Sequence, residues 1–123
     1  MRTPYYIVFE EKLRSNLKLI DYVSKQANVK IIMAFKANAL WKTFGIISEY
    51  CSSSTASSIN EMKLSLEELG NDVHAYCPVY TDESIVDFID GCSHITFNSV
   101  SQFSKYFPLV EKHNANSDRK ISC

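Results

Sequence analysis

The sequence predicts an α/β fold, the N-terminal portion of a parallel (β/α)8 barrel that 123 residues do not complete. Three observations carry this expectation. Short β-branched or apolar runs alternate with segments of helical period, joined by connections of a few residues, which is the pattern of βα units on a parallel sheet. Side-chain alternation then separates two faces. Ile31, Met33 and Phe35 oppose Ile32, Ala34 and Lys36, and Ile95 and Phe97 oppose His94, Thr96 and Asn98. A barrel turns large apolar side chains outward against its helices and can place smaller or polar ones inward, so Lys36 and Asn98 fall on one inner rim. Finally, a complete barrel takes roughly 250 residues, whereas this chain supplies about four βα units and a flanking strand. A half-barrel leaves unpaired sheet edges. The expectation is therefore an N-terminal segment of a longer protein, or a chain that completes its fold with another.

The elements follow in order. Tyr5 to Phe9 is β-branched and aromatic and reads as a first strand, with Thr3-Pro4 favouring an extended entry. Residues 10–27 read as a helix, with Leu13, Leu17, Ile20 and Val23 at helical spacing. Lys30 to Phe35 is the next strand, and Trp41 to Tyr50 a helix weakened by Gly45. The serine-rich stretch 52–58 resembles a linker in composition, but between two helical patterns it reads as a short polar strand. A helix over 59–69 carries Ile59, Met62, Leu66 and Leu69 on one face, with Gly70 as its C-cap. Val73 to Val79 is a strand, 82–90 a helix stopped by Gly91, and His94 to Asn98 a strand. Val100, Phe103, Phe107 and Val110 mark a helix that Pro108 is expected to kink or end early. Residues 113–118 read as a loop, and Lys120 to Cys123 as the opening of another strand.

Composition excludes several classes of function. Net charge is −1, with 13 basic residues spread along the chain, so there is no electrostatic footprint for nucleic acid or an anionic membrane. The aromatic content is explained by packing between sheet and helices rather than by base stacking. No apolar run approaches the roughly 18 residues of a membrane helix, and the N-terminus lacks a signal-peptide core, so a cytoplasmic location is expected. Cys51, Cys77, Cys92 and Cys123 form no C-x-x-C pair, and His74, His94 and His113 do not cluster with them. The expectation is buried free thiols and no metal site.

Lys36 is the leading candidate for chemistry. A lysine at the C-terminal mouth of a barrel strand sits where that architecture keeps its active sites. Desolvation there disfavours its charged form and prepares it to attack a carbonyl. The alternative is a solvated lysine closing a strand. Ser58 and Glu61 have the spacing of a capping box, as do Ser99 and Gln102. His74 reads as a structural histidine, Tyr76 as either core or site lining, and Asn98 as a rim residue.

Ala34-Phe-Lys-Ala-Asn38 resembles the Schiff-base lysine motif of fold-type III pyridoxal-phosphate enzymes, which share an alanine-racemase-like barrel. A longer resemblance, from about Thr3 to Phe107, is to the carboxynorspermidine/carboxyspermidine decarboxylases. It lies in Thr3-Pro-Tyr-Tyr6, Leu40-Trp41, Ser53-Ser-Thr-Ala-Ser-Ser58 with Glu61, His74-Ala-Tyr76, and Ile95-Thr-Phe-Asn-Ser99 with Gln102 and Phe103. In one departure, Lys36-Ala-Asn-Ala39 is closer to the racemases than to the Lys-Cys-Phe-Ala of these decarboxylases.

The resemblance implies pyridoxal 5'-phosphate held on Lys36 and decarboxylation of a carboxylated polyamine in norspermidine or spermidine synthesis, within a homodimer. It implies cofactor contacts from Ser57, Ser58 and Asn98, with Glu61 and Tyr76 lining the site. It implies that residues 1–9 give a strand to a C-terminal β-domain and that residues 10–123 form the first half of a pyridoxal-phosphate-binding barrel. The family's phosphate- and pyridine-binding residues come later in the chain, so the 123 residues are expected to be inactive alone. The alternatives are another fold-type III amino-acid decarboxylase or racemase, and a non-catalytic pyridoxal-phosphate-binding module.

Overall fold

The computed structural model describes residues 3–70 and 72–123. Four strands lie parallel in the order β1-β2-β3-β4: β1 (Met33–Ala34), β2 (Ser53–Ala56), β3 (Asp72–Ala75) and β4 (His94–Ile95). Helices alternate with them: α1 (Glu10–Ala27), α2 (Phe44–Ile47), α3 (Ile59–Glu68), α4 (Ser84–Gly91) and α5 (Val100–Asn116). Spatial order follows chain order without reversal, as in a barrel wall and unlike a doubly wound sheet.

Register assigns the faces. Met33 pairs with Ser54 and Ser54 with Val73, while Ala56 pairs with Ala75 and Ala75 with Ile95. Ser54, Val73, Ala75 and Ile95 are fully buried beneath the helices. There Val73, Ala75 and Ile95 join Met62, Ile85, Phe88, Tyr106 and Val110 in the main core. A second cluster of Leu17, Phe35, Phe44 and Ile47 seats α1 and α2 on β1, with Phe35 stacked on Phe44 at 4.8 Å. The buried hydroxyls of Ser54 and Ser65 bond each other at 2.7 Å across the β2–α3 seam, so neither is left unsatisfied. The opposite face carries the row Ala34, Thr55, His74 and His94, in register across all four strands.

Local signals explain the helix ends. Asn28 takes the left-handed conformation at φ 51° and caps α1, with Val29 N–H donating to the Ser24 carbonyl. Ser58 Oγ accepts from Glu61 N–H, and Ser99 Oγ from Gln102 N–H, as the spacing predicts. At Gly91 a Cβ would collide with the Met62 thioether, which explains the glycine beneath α3. Arg14 bridges Glu10 and Glu49 at 2.8 and 2.7 Å, tying α1 to the turn after α2.

Several expectations are corrected. Tyr5 to Phe9 forms no strand; its side chains are exposed, and no described strand lies alongside to complete a ladder. Of the expected 1–9 strand segment, Met1 and Arg2 lie outside the described residues. All four sheet strands are shorter than the segments expected to form them, because residues outside the ladder belong to the connections with the helices. Trp41 to Tyr50 splits into a 3-10 turn over Trp41–Thr43, the single α turn of α2, and a turn closed by Cys51 N–H on the Ile47 carbonyl. Pro108 neither ends nor shortens α5, which runs on to Asn116 and takes in the first four residues of the expected loop. Proline removes one helix hydrogen bond, whereas Tyr106 and Val110 on either side of it are buried and Phe103 stacks on Phe107 at 4.5 Å. The four thiols are free, but Cys92 alone is fully buried and Cys123 is exposed. The expected strand at 120–123 appears as a parallel bridge from Ser122 to His94.

Candidate active site

The site is built by the two-residue period of the strands. Two positions beyond Ala34, Thr55, His74 and His94 stand Lys36, Ser57, Tyr76 and Thr96, on the same face and past the C-terminal ends of the strands. Lys36, Ser57 and Tyr76 join Pro78 and Asn98 around a concavity of about 390 Å³. Lys36 Nζ lies over the Tyr76 ring, 5.3 Å from its centroid, within reach of the ring's negative face. The strand ends thus bring together four of the six residues singled out from sequence.

Lys36 itself is exposed and sits in the turn after β1. Its expected desolvation is not supplied, since no described element covers the inner face. Its anchor is the preceding residue: Phe35 is buried outward while Lys36 points to the mouth.

Ser58 and Glu61 lie outside this concavity. Ser58 is consumed as the α3 cap, and Glu61 Oε2 accepts the Ser57 N–H at 2.6 Å. Glu61 therefore holds the strand end that presents Ser57. Asn98 reaches the mouth, but its amide nitrogen donates to the carbonyls of Cys77 (2.6 Å) and Pro78 (2.8 Å), so its donors are engaged by backbone. One wall residue, Pro78, and one residue behind the wall, Tyr80, were not singled out from sequence. Pro78 fell within the expected strand Val73–Val79 but was given no role. Tyr80 looked like a loop residue, yet it is buried and its hydroxyl donates to the Thr96 carbonyl at 3.0 Å.

Below the mouth, Ile32, Thr55, His74, Tyr76, His94 and Thr96 line a second concavity of about 380 Å³. The His74 and His94 rings lie 5.1 Å apart. Burial and the neighbouring His74 hold the His94 imidazole below its ordinary value, against the pull of Asp72. His74 Nε2 is 3.3 Å from Asp72 Oδ1, in keeping with a structural histidine. Asp72 gathers Lys30, Ser53 and Ser93 at the N-terminal edge of the sheet. Burial raises its pKa, but those three hydrogen bonds and the charge of Lys30 hold it well below the usual carboxylate range. Among the described residues, no three metal-ligating side chains converge, and no helix is long and apolar enough to cross a membrane.

Comparison with known proteins places the chain. No family model matches it. It is 36% identical over 104 residues to a carboxynorspermidine/carboxyspermidine decarboxylase of Herminiimonas arsenicoxydans, covering 85% of this chain and 28% of that protein. It is 32% identical over 114 residues to the Campylobacter jejuni protein of that name, covering 93% and 30%. A carboxyaminopropylagmatine decarboxylase of Synechocystis is 34% identical over 104 residues, covering 85% and 27%. The crystal structure of carboxynorspermidine decarboxylase from Campylobacter jejuni, complexed with norspermidine, superposes with a TM-score of 0.86 at 32% identity, covering 91% of this chain and 30% of that one. The chain therefore spans less than a third of the length of these relatives and matches their N-terminal portion in sequence and fold.

Proposed function

We propose that this chain is the cofactor-lysine portion of a pyridoxal-phosphate-dependent decarboxylase acting on carboxynorspermidine or carboxyspermidine in polyamine synthesis. The observation that carries it is the placement of Lys36 at the C-terminal mouth of β1, opposite Ser57, Tyr76 and Asn98, in a chain whose relatives are named carboxynorspermidine/carboxyspermidine decarboxylases. The residues present fit the group. An exposed primary amine faces an open concavity rimmed by a hydroxyl, an aromatic ring and an amide. When bound, pyridoxal phosphate takes up the electron pair left as carbon dioxide departs.

The chain's own residues do the rest. Lys36 Nζ would hold the cofactor covalently. Tyr76 supplies an aromatic wall beside that nitrogen. Ser57 presents its hydroxyl at the rim, its backbone fixed by Glu61. Ser58 holds the start of α3, which carries Glu61. In this proposal the strands continue into a cytoplasmic, homodimeric barrel enzyme in which residues 1–9 join a C-terminal β-domain. Support for that last element is the exposed apolar segment Tyr5–Phe9. The relative named for carboxyaminopropylagmatine favours a second substrate of the same carboxylated aminopropyl class.

Borohydride reduction of the chain with pyridoxal phosphate tests the tether. Amine and aldehyde join with loss of water, and hydride fixes the product as a secondary amine that survives digestion. Label concentrated on the Lys36 peptide and lost in Lys36→Met is the expected result. Label spread evenly over the exposed lysines refutes the assignment. By the same proposal residues 1–123 alone release no carbon dioxide. The described residues give a lysine and one polar wall, and Gly45, Gly70 and Gly91 are too far apart to form a glycine-rich phosphate cradle. Turnover of carboxynorspermidine by the 123 residues would overturn that part.

A further inference from the structure

We infer that Tyr80 and Asn98 are positioning residues of the Lys36 site, lacing the exits of β3 and β4 into one wall that fixes where Tyr76 and Pro78 stand. The inference rests on the reading of Lys36 as the cofactor tether. Its basis is the treatment of Cys77, which lies in sequence between the two wall residues and is gripped at both backbone groups. Its N–H donates to the Tyr80 hydroxyl at 3.2 Å, and its carbonyl accepts from the Asn98 amide at 2.6 Å. The same two side chains reach further. Tyr80 donates to the Thr96 carbonyl at 3.0 Å, on the β4 side, and Asn98 donates to the Pro78 carbonyl at 2.8 Å. Gln102, at the start of α5, adds a bond to Pro78 at 3.3 Å.

Each lacing residue is itself held. The Tyr80 ring is 3% exposed and meets Phe88 and Phe97 edge-on at 5.3 and 5.7 Å. Its carbonyl accepts from the Tyr106 hydroxyl at 3.0 Å. Burial pushes its phenol up to about 12, so it keeps its proton and donates at neutral pH. Asn98 follows β4 and directly precedes Ser99, the cap of α5. The last backbone bond of the sheet in this strand is Tyr76 N–H to the Ala56 carbonyl at 2.9 Å, so beyond Tyr76 the β3–α4 connection at Cys77 and Pro78 is held chiefly by these side-chain bonds, and through it the setting of the Tyr76 ring. The site then depends on a phenol buried in the core as much as on the residues that line it.

The test is the reduction experiment read as a ratio, the label on Lys36 over that on exposed Lys63 in the same molecule. Tyr80→Phe keeps the ring packing and deletes the hydroxyl. Asn98→Asp keeps the shape and deletes both donors. Each is expected to lower the ratio about tenfold, since about 1 Å of misplacement costs on the order of 100-fold in well-oriented reactions. Val110→Ala loosens the same core about three turns along α5 and is expected to leave the ratio unchanged under conditions where it is folded. A wild-type ratio preserved in both Tyr80→Phe and Asn98→Asp overturns the lacing role, as does an equal fall in Val110→Ala. A wild-type chain with no preference for Lys36 instead refutes the tether, and the inference with it.

Discussion

Replacing Phe44 with alanine probes whether the small second core places Lys36. Phe44 is fully buried, and its ring lies 4.8 Å from Phe35 at 24°. Since α2 is four residues long, this ring is its main anchor on β1. Truncating a buried phenylalanine costs about 3–5 kcal/mol, of which the ring pair accounts for about 0.5–1.5 kcal/mol. A domain of 123 residues has a total stability of roughly 6–18 kcal/mol at the usual per-residue figure. One side chain therefore commands a sizeable fraction. With a urea slope of about 2 kcal/mol/M, the unfolding midpoint should fall by roughly 1.5–2.5 M. Phe35 directly precedes Lys36, so the Lys36-to-Lys63 labelling ratio should fall as well, even at urea concentrations where the variant is folded. A midpoint shift under about 0.5 M with an unchanged slope would refute the idea that this stack seats the first strand.

Three further outcomes are expected. Ser54→Ala or Ser65→Ala leaves a buried hydroxyl short of its partner and should cost about 1–3 kcal/mol; the double variant should cost less than the sum of the two, and additive losses in a denaturation cycle would argue against the paired hydroxyls. Ser58→Ala removes the α3 cap and should cost about 1 kcal/mol in thermal melts, so a change within error would show that Glu61 holds that turn unaided. Asp72 has a folded pKa below its unfolded value of about 3.9, so its stabilising contribution is present above that value and is lost as pH falls through the folded one. Asp72→Asn should therefore melt below the wild type at neutral pH, with the gap closing in acid, and parallel profiles down to strongly acid pH would exclude the linkage.

Much of the site was legible because strand geometry repeats every two residues. Ile31, Met33 and Phe35 do face the helices, and the alternate positions lead to Lys36, as at Ile95 and Phe97 against Asn98. The caps at Ser58 and Ser99 were legible for a similar reason, since a hydroxyl three residues before an N–H is a local matter. Alternation reaches only to the last residue with a defined face. It did not single out Pro78 or Tyr80, which lie past the ladder: Pro78 is held by Asn98 and Gln102, and Tyr80 by Cys77, Thr96 and Phe97.

The sequence by itself determined the order of strands and helices and the face on which the lysine lies, because hydrophobic period and turn chemistry act over a few residues. Only the tertiary structure decided that α5 runs through Pro108, that the Tyr5–Phe9 segment stays unpaired, that Asn98 spends its donors on the neighbouring loop and that Lys36 stands exposed to solvent. Each of those outcomes depends on contacts between residues far apart in the chain, or on the lack of a described neighbour to make them.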